Sequence, residues 1–113
     1  MTKEELIDFI NKWKQNEYDD YSISESNIIN LAETNAEYDD NLLFGVDVNV
    51  QINEITWYIN KYNEETEEGE CIFRADMQFD DTEALMYFLD THSFDDILGD
   101  EYFEKSGISK YEE

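Results

Sequence analysis

From Phe44 to Ile52 apolar and polar residues alternate: Phe44, Val46, Val48, Val50 and Ile52 point one way, Asp47, Asn49 and Gln51 the other. Successive side chains of a strand leave opposite faces, so residues 42–52 read as a half-buried β-strand. Asn53-Glu54 is expected as a two-residue turn. Ile55, Trp57 and Ile59 then continue the apolar face, with Thr56, Tyr58, Asn60 and Tyr62 on the polar one. The run Glu64–Glu70, EETEEGE, reads as an acidic loop. A third strand follows, with Cys71, Phe73, Ala75, Met77 and Phe79 on the apolar side and Ile72, Arg74, Asp76 and Gln78 opposite.

Towards both ends of the chain the period lengthens to that of a helix. Thr2 and Glu5 have the spacing of a capping box, and Leu6, Phe9, Ile10 and Trp13 fall on one face of a helix over residues 2–15. Lys12 and Lys14 lie in its last turn, where the helix dipole favours cations. Glu17–Asp20 is expected as a loop and Tyr21–Leu31 as an edge strand. Residues 81–92 return to helical spacing through Leu85, Phe88 and Leu89. Ser93 is placed to cap a last helix containing Ile97, Leu98 and Phe103, which Gly107 stops. The order predicts an α+β fold: an N-terminal helix, a three- to four-stranded antiparallel sheet and two C-terminal helices. All belong to a single domain over residues 1–113, with the helices on one sheet face.

Composition changes this picture in one respect. Eight Tyr, seven Phe and two Trp supply large apolar areas, which argues for a packed domain rather than a disordered acidic tail. Yet 30 acidic residues face 7 basic ones, a net charge of −23. Between Gln15 and Glu104 the bases are Lys61 and Arg74 alone, against 25 acids. Solubility asks for a net charge of about 2–8 in a small domain, and self-repulsion destabilises a compact state. The excess therefore points to use. It disfavours anionic lipid surfaces and direct nucleic-acid binding, and selects a basic partner. Cys71 is the one cysteine, so neither an internal disulfide nor a cysteine-based zinc site is available. MTKEELIDF has no long apolar core of a signal peptide, and the protein is expected in the cytoplasm.

An aromatic residue followed by two aspartates occurs four times: Tyr18-Asp19-Asp20, Tyr38-Asp39-Asp40, Phe79-Asp80-Asp81 and Phe94-Asp95-Asp96. Local roles account for single members: Asp80 with Glu83 and Ser93 with Asp96 have capping-box spacing, and the two YDD pairs are expected in loops. Local roles do not account for the doublets, for EETEEGE or for the scarcity of lysine. The ladder Asp47, Asn49, Gln51, Asn53 has a superficial calcium-loop spacing. It carries Ile52 and Tyr58 where such a loop needs Gly and Glu, and no metal is expected. Cys71 and His92 as nucleophile and base, or paired carboxylates of a glycosidase, are the catalytic alternatives; structural positions on apolar faces are preferred for both Cys71 and His92. Neither enzymatic activity nor a cofactor is expected. Tyr58, Tyr62 and Ile72 lie on the polar sheet face, where uncovered tyrosines serve as contact anchors; helices over that face would make them structural instead.

A small, compact, lysine-poor, very acidic and aromatic-rich α+β chain resembles the phage-encoded inhibitors of nucleic-acid enzymes. It is most similar to the small acidic anti-CRISPR proteins from phages of low-GC Gram-positive bacteria. The likeness covers size, composition and class along the whole chain and carries no family residue across. It implies a nucleic-acid mimic that occupies the basic DNA- or RNA-binding site of a defence nuclease, such as the PAM-reading site of a Cas9-type effector. Bacterial immunity proteins, which neutralise basic nuclease toxins, share the profile and stand as the alternative partner class. A small carboxylate-based enzyme is the third reading. The residues expected to meet the partner are Glu64, Glu65, Glu67 and Glu68 of the acidic loop, the helix-start acids Asp80, Asp81, Asp95 and Asp96, the pair Asp100 and Glu101, and the tyrosines Tyr58 and Tyr62. The protein is expected to act as a monomer.

If the charges repel one another in the folded state, added salt stabilises it. The melting temperature should rise as sodium chloride goes from about 0.1 M to about 1 M, where the Debye length shrinks from ~10 Å to ~3 Å. A flat or falling curve would mean that the charges are already compensated.

Overall fold

The computed structural model describes residues 2–15 and 27–111. Its strands are β1 (Ile28–Ala36), β2 (Asp39–Asn49), β3 (Glu54–Asn63) and β4 (Glu68–Gln78). Its helices are α1 (Lys3–Gln15), α2 (Thr82–Asp90) and α3 (Phe94–Ile97), followed by 3-10 turns at Asp100–Tyr102 and Glu104–Ser106. The strands form one antiparallel sheet in the order β1-β2-β3-β4. The fold is α+β, an N-terminal helix and C-terminal helices on a four-stranded antiparallel sheet. No described helix is long and apolar enough to cross a membrane.

The alternation read in the sequence becomes cross-strand pairing. Phe44 lies opposite Ile59, Val46 opposite Trp57 and Val48 opposite Ile55, and all six are buried. Leu6 and Ile10 of α1, Leu85 and Leu89 of α2, Phe94 and Ile97 of α3, and Phe103 close over them in one core. Each such side chain contributes roughly 1.5–3 kcal/mol by leaving water. Trp57 is its hub. Its indole Nε1 donates to the Ile97 carbonyl at 2.7 Å, and its ring stacks on Tyr102 at 4.4 Å and meets Phe88 edge-on at 6.3 Å. Trp13 likewise ties α1 down, stacking on Phe94 at 4.9 Å and donating to the His92 carbonyl at 3.1 Å.

Several boundaries differ from expectation. Residues 17–26, which include the Glu17–Asp20 loop and most of the expected Tyr21–Leu31 strand, lie outside the described residues; the edge strand present is Ile28–Ala36. Asp39 and Asp40 open β2 rather than sitting in a loop. The β2–β3 turn takes residues 50–53, so Glu54 begins β3 and Ile52, 44% exposed, leaves the core. Asn53 adopts φ 56° there, a left-handed conformation that asparagine tolerates better than most residues. Asp81, not Asp80, caps α2, accepting from the Ala84 N–H at 2.8 Å. The Ser93–Asp96 capping box is present. The expected last helix stops at Ile97 and continues as the two 3-10 turns, ending at Gly107 with φ 72°.

Cys71 is a larger departure. Ile59 pairs with Phe73 but Asn60 pairs with Cys71, so a bulge inserts Ile72 as an extra residue in β4. The inserted residue reverses the parity of the strand, and Cys71 is exposed on the polar face instead of buried on the apolar one.

Lys110 was unexpected as a core residue and is 5% exposed. Its ammonium donates to the Leu98 carbonyl, pairs with Asp100 Oδ1 at 2.9 Å and lies over the rings of Phe103 and Phe44 at 4.9 and 5.6 Å. Its carbonyl accepts from the Glu37 N–H at 2.7 Å, and the neighbouring Ser109 carbonyl accepts from Tyr38 Oη at 2.9 Å. These contacts fasten the C-terminal segment to the β1–β2 turn. Lys110→Met keeps the apolar stem but strands a carbonyl. It should cost about 1–3 kcal/mol, read as a lower urea midpoint at unchanged slope. An unmoved midpoint would show that the ammonium's contacts contribute nothing.

Candidate functional site

The acidic run forms the tip of the β3–β4 hairpin rather than an open loop. Residues 64–67 make the turn, and Glu68, Gly69 and Glu70 already belong to β4. Asn63 shapes the turn: its Oδ1 accepts from the Glu65 N–H at 2.9 Å and the Thr66 N–H at 3.4 Å. Glu67 completes it at φ 57°. Every residue from Lys61 to Ile72 is exposed, so the tip extends past the core. Glu64 accepts one hydrogen bond, from Asn41 Nδ2 at 3.3 Å. Among the described residues, none of Glu64, Glu65, Glu67, Glu68 and Glu70 forms an ion pair; the pairs present are Arg74 with Glu54 and Asp76, and Lys110 with Asp100.

Asp80 and Asp81 are not brought to this tip. They follow the far end of β4, and eleven residues at about 3.3 Å each put the two groups roughly 35 Å apart along the strand. Three of the helix-region acids also have internal work. Asp81 caps α2, Asp96 closes the capping box with Ser93, and Asp100 holds Lys110. Asp80, Asp95 and Glu101 are exposed, and Glu101 lines a shallow cleft with Asp100, Glu104 and Ile108.

The polar sheet face carries a cleft of about 340 Å³ lined by Asp47, Asn49, Glu54, Thr56, Tyr58, Asn60, Cys71 and Arg74, with Ile28 at its rim. Tyr58 lies flat across this face because its cross-strand partner is Gly45; a Cβ on Gly45 would sit 2.2 Å from the ring. Asn30 Nδ2 donates to Tyr58 Oη at 3.1 Å and to Asp47 Oδ1 at 3.0 Å. Burial first, then the charges of Asp47 and Glu33, push the Tyr58 phenol up to about 12. Arg74, the one base here, is spoken for: Nε donates to Asp76 Oδ1 at 3.0 Å, and Glu54 lies 3.9 Å from its terminal nitrogen. A hydrogen bond from Thr56, at 2.7 Å, and Arg74 together hold the Asp76 carboxyl below its ordinary range. Tyr62 stands 43% exposed nearer the hairpin tip.

Cys71 and His92 are not assembled into a dyad. Cys71 faces the polar cleft, whereas His92 stacks on Phe88 at 4.0 Å in the helical layer, its Nδ1 2.6 Å from the Phe88 carbonyl. Among the described residues no group of three or more His, Cys, Asp or Glu side chains is arranged to hold a metal ion. The chain matches no protein-family model, no curated protein and no solved structure.

A phenol with a raised pKa keeps its proton where ordinary tyrosines lose theirs. The stability tied to neutral Tyr58 is therefore full below the unfolded value of 10.0 and is lost as pH climbs towards about 12. At a pH of about 10.5, between those two values, Tyr58→Phe should leave the phenolate absorbance at 295 nm of the folded protein unchanged. Loss of one tyrosine's share of that signal would show that Tyr58 titrates normally.

Proposed function

We propose that the protein is an acidic inhibitor that presents nucleic-acid-like charge to the basic DNA- or RNA-binding site of a bacterial defence nuclease. Its most concrete target is the PAM-reading site of a Cas9-type effector in the host cytoplasm. Glu67 carries this reading. It keeps a long charged side chain at φ 57°, a backbone conformation that costs an L-residue roughly 1–2 kcal/mol and that glycine adopts freely. A fold selected for stability alone would place Gly at that position; a fold selected for charge at the hairpin tip retains the carboxylate. Left-handed residues are common in hairpin turns, and Asn53 holds the same conformation between β2 and β3; at the tip the position is filled by a glutamate rather than by Gly or Asn.

The remaining support is electrostatic. Duplex DNA presents one negative charge per ≈ 1.7 Å of axis, and the sites that bind it are lined with Lys and Arg. The tip offers five glutamates within seven residues, exposed and without internal ion pairs among the described residues. Complementary charge of this kind accelerates encounter, which an inhibitor acting before the nuclease finds its DNA requires.

The test separates charge from fold. Glu64, Glu65, Glu67 and Glu68 changed together to Gln should leave the circular dichroism spectrum unaltered and slow association with a guide-loaded Cas9-type effector about tenfold or more at low salt. A PAM-containing duplex should compete with the wild-type protein for the effector. Glu67→Gly alone should raise stability by about 0.5–1 kcal/mol while weakening binding. If the neutral tip inhibits as well as the wild type at low salt, charge mimicry by the hairpin is wrong.

A further inference from the structure

We propose that the outer edge of β4 accepts a fifth strand, supplied by an extended, basic segment of the partner protein; the basic character of that partner rests on the function proposed above. β4 is an eleven-residue strand at the end of the sheet order, contains no proline, and has β3 on one side and no described strand on the other. In an antiparallel sheet alternate residues of an edge strand direct N–H and C=O groups away from the sheet, a ready template for another chain. The opposite edge is less open: β1 buries Ile29, Leu31, Ala32 and Ala36, and the C-terminal segment docks at its end through Lys110.

The side chains of β4 suit a visitor with an apolar middle and basic ends. Ile72 and Met77 are 40% and 37% exposed, and Phe73 and Ala75 are half-buried between them. Carboxylates flank this stretch on both sides, the hairpin glutamates through Glu70 at one end and Asp80, with the cap Asp81, at the other. Edge strands are commonly guarded by charged side chains, lysine above all, and by bulges; the charges on β4 other than Arg74 are acidic, which repel another acidic chain and admit a basic one. Here the one base of β4, Arg74, is exposed but bonded along the strand to Asp76 and paired with Glu54 of β3. The bulge at Ile72 twists the edge but leaves residues 73–78 in regular register with β3.

In the register centred on Phe73 a second copy of the chain fits poorly. Antiparallel self-pairing centred on Phe73 would set Glu70 of one copy opposite Asp76 of the other, with Glu68 opposite Gln78, and would bring the two acidic hairpin tips beside Asp80 and Asp81. Like charges directly opposite one another destabilise a strand pair. Lysine or arginine at the ends of the incoming strand removes that conflict. In strand addition the backbone ladder supplies affinity, and the alternate side chains supply selectivity.

The experiment uses the full chain and a defined probe: a short fluorescent peptide with lysine pairs flanking an alternating valine–threonine run. It should bind at low salt and slow hydrogen exchange at alternate amides between Glu70 and Gln78. The same peptide N-methylated on one backbone edge keeps every charge and loses the ladder. It should bind about tenfold more weakly or worse. Equal binding by the methylated peptide overturns strand addition and leaves charge mimicry untouched. Absence of binding by the parent peptide, or slow alternate β4 amides in a dimer of the protein alone, also overturns it. Failure of the inhibitor reading would appear elsewhere, as undiminished target inhibition by the glutamine-substituted hairpin.

Discussion

Trp57 is the contact on which the rest of the arrangement depends. One side chain from a central strand reaches three C-terminal elements at once, bonding the end of α3, stacking on Tyr102 and touching Phe88 of α2. Stacked and edge-on aromatic contacts add roughly 0.5–1.5 kcal/mol each to the area they bury. Short elements need such a hub. α3 spans four residues, too few to be helical without its cap and its tertiary contacts.

With Trp57 committing the helices to one face, the acids are left with the hairpin, the turns, the polar sheet face and the outer sides of the helices, where water can solvate them. The opposing tendencies, a net charge of −23 against a compact fold, are thereby separated in space. Aromatic packing holds one layer together while most carboxylates lie outside it. Where a charge does enter the core it is the opposite sign: Lys110 brings a cation among Phe44, Phe103 and Asp100, and one acid is compensated from within.

The legible parts of the sequence were those in which one periodicity ran uninterrupted. Phe44 to Ile59 announced two strands and their shared apolar face, and Leu85, Phe88 and Leu89 announced α2 with its packing side. The Ser93–Asp96 box was readable because both partners lie within one turn. The misreadings came from events that break a period by one residue. The bulge at Ile72 moved Cys71 across the sheet, and the four-residue turn at 50–53 put Ile52 into water. Nothing in the local pattern distinguishes an inserted residue from a continuing strand. Lys110 was invisible for another reason: lysine almost never enters a core unpaired, and its partners Asp100, Phe44 and Leu98 are set by tertiary contact. The acidic tip was foreseen as a group, but its conformation, and with it the strain at Glu67, was not.

Gly45 and Tyr58 have a consequence beyond the geometry of the polar face. They are direct cross-strand partners, and the ring occupies the space where any other residue at 45 would put its first side-chain carbon. An aromatic ring laid over a glycine shields a stretch of backbone that would otherwise be bare, an arrangement sheets use to offset the weakness of glycine in a strand. The conformations of the two positions are therefore coupled. A side chain added at 45 would force the Tyr58 ring out of its place over the sheet. The pairing of a glycine at 45 with a ring at 58 is thus a property of the sheet itself, independent of where the acids lie.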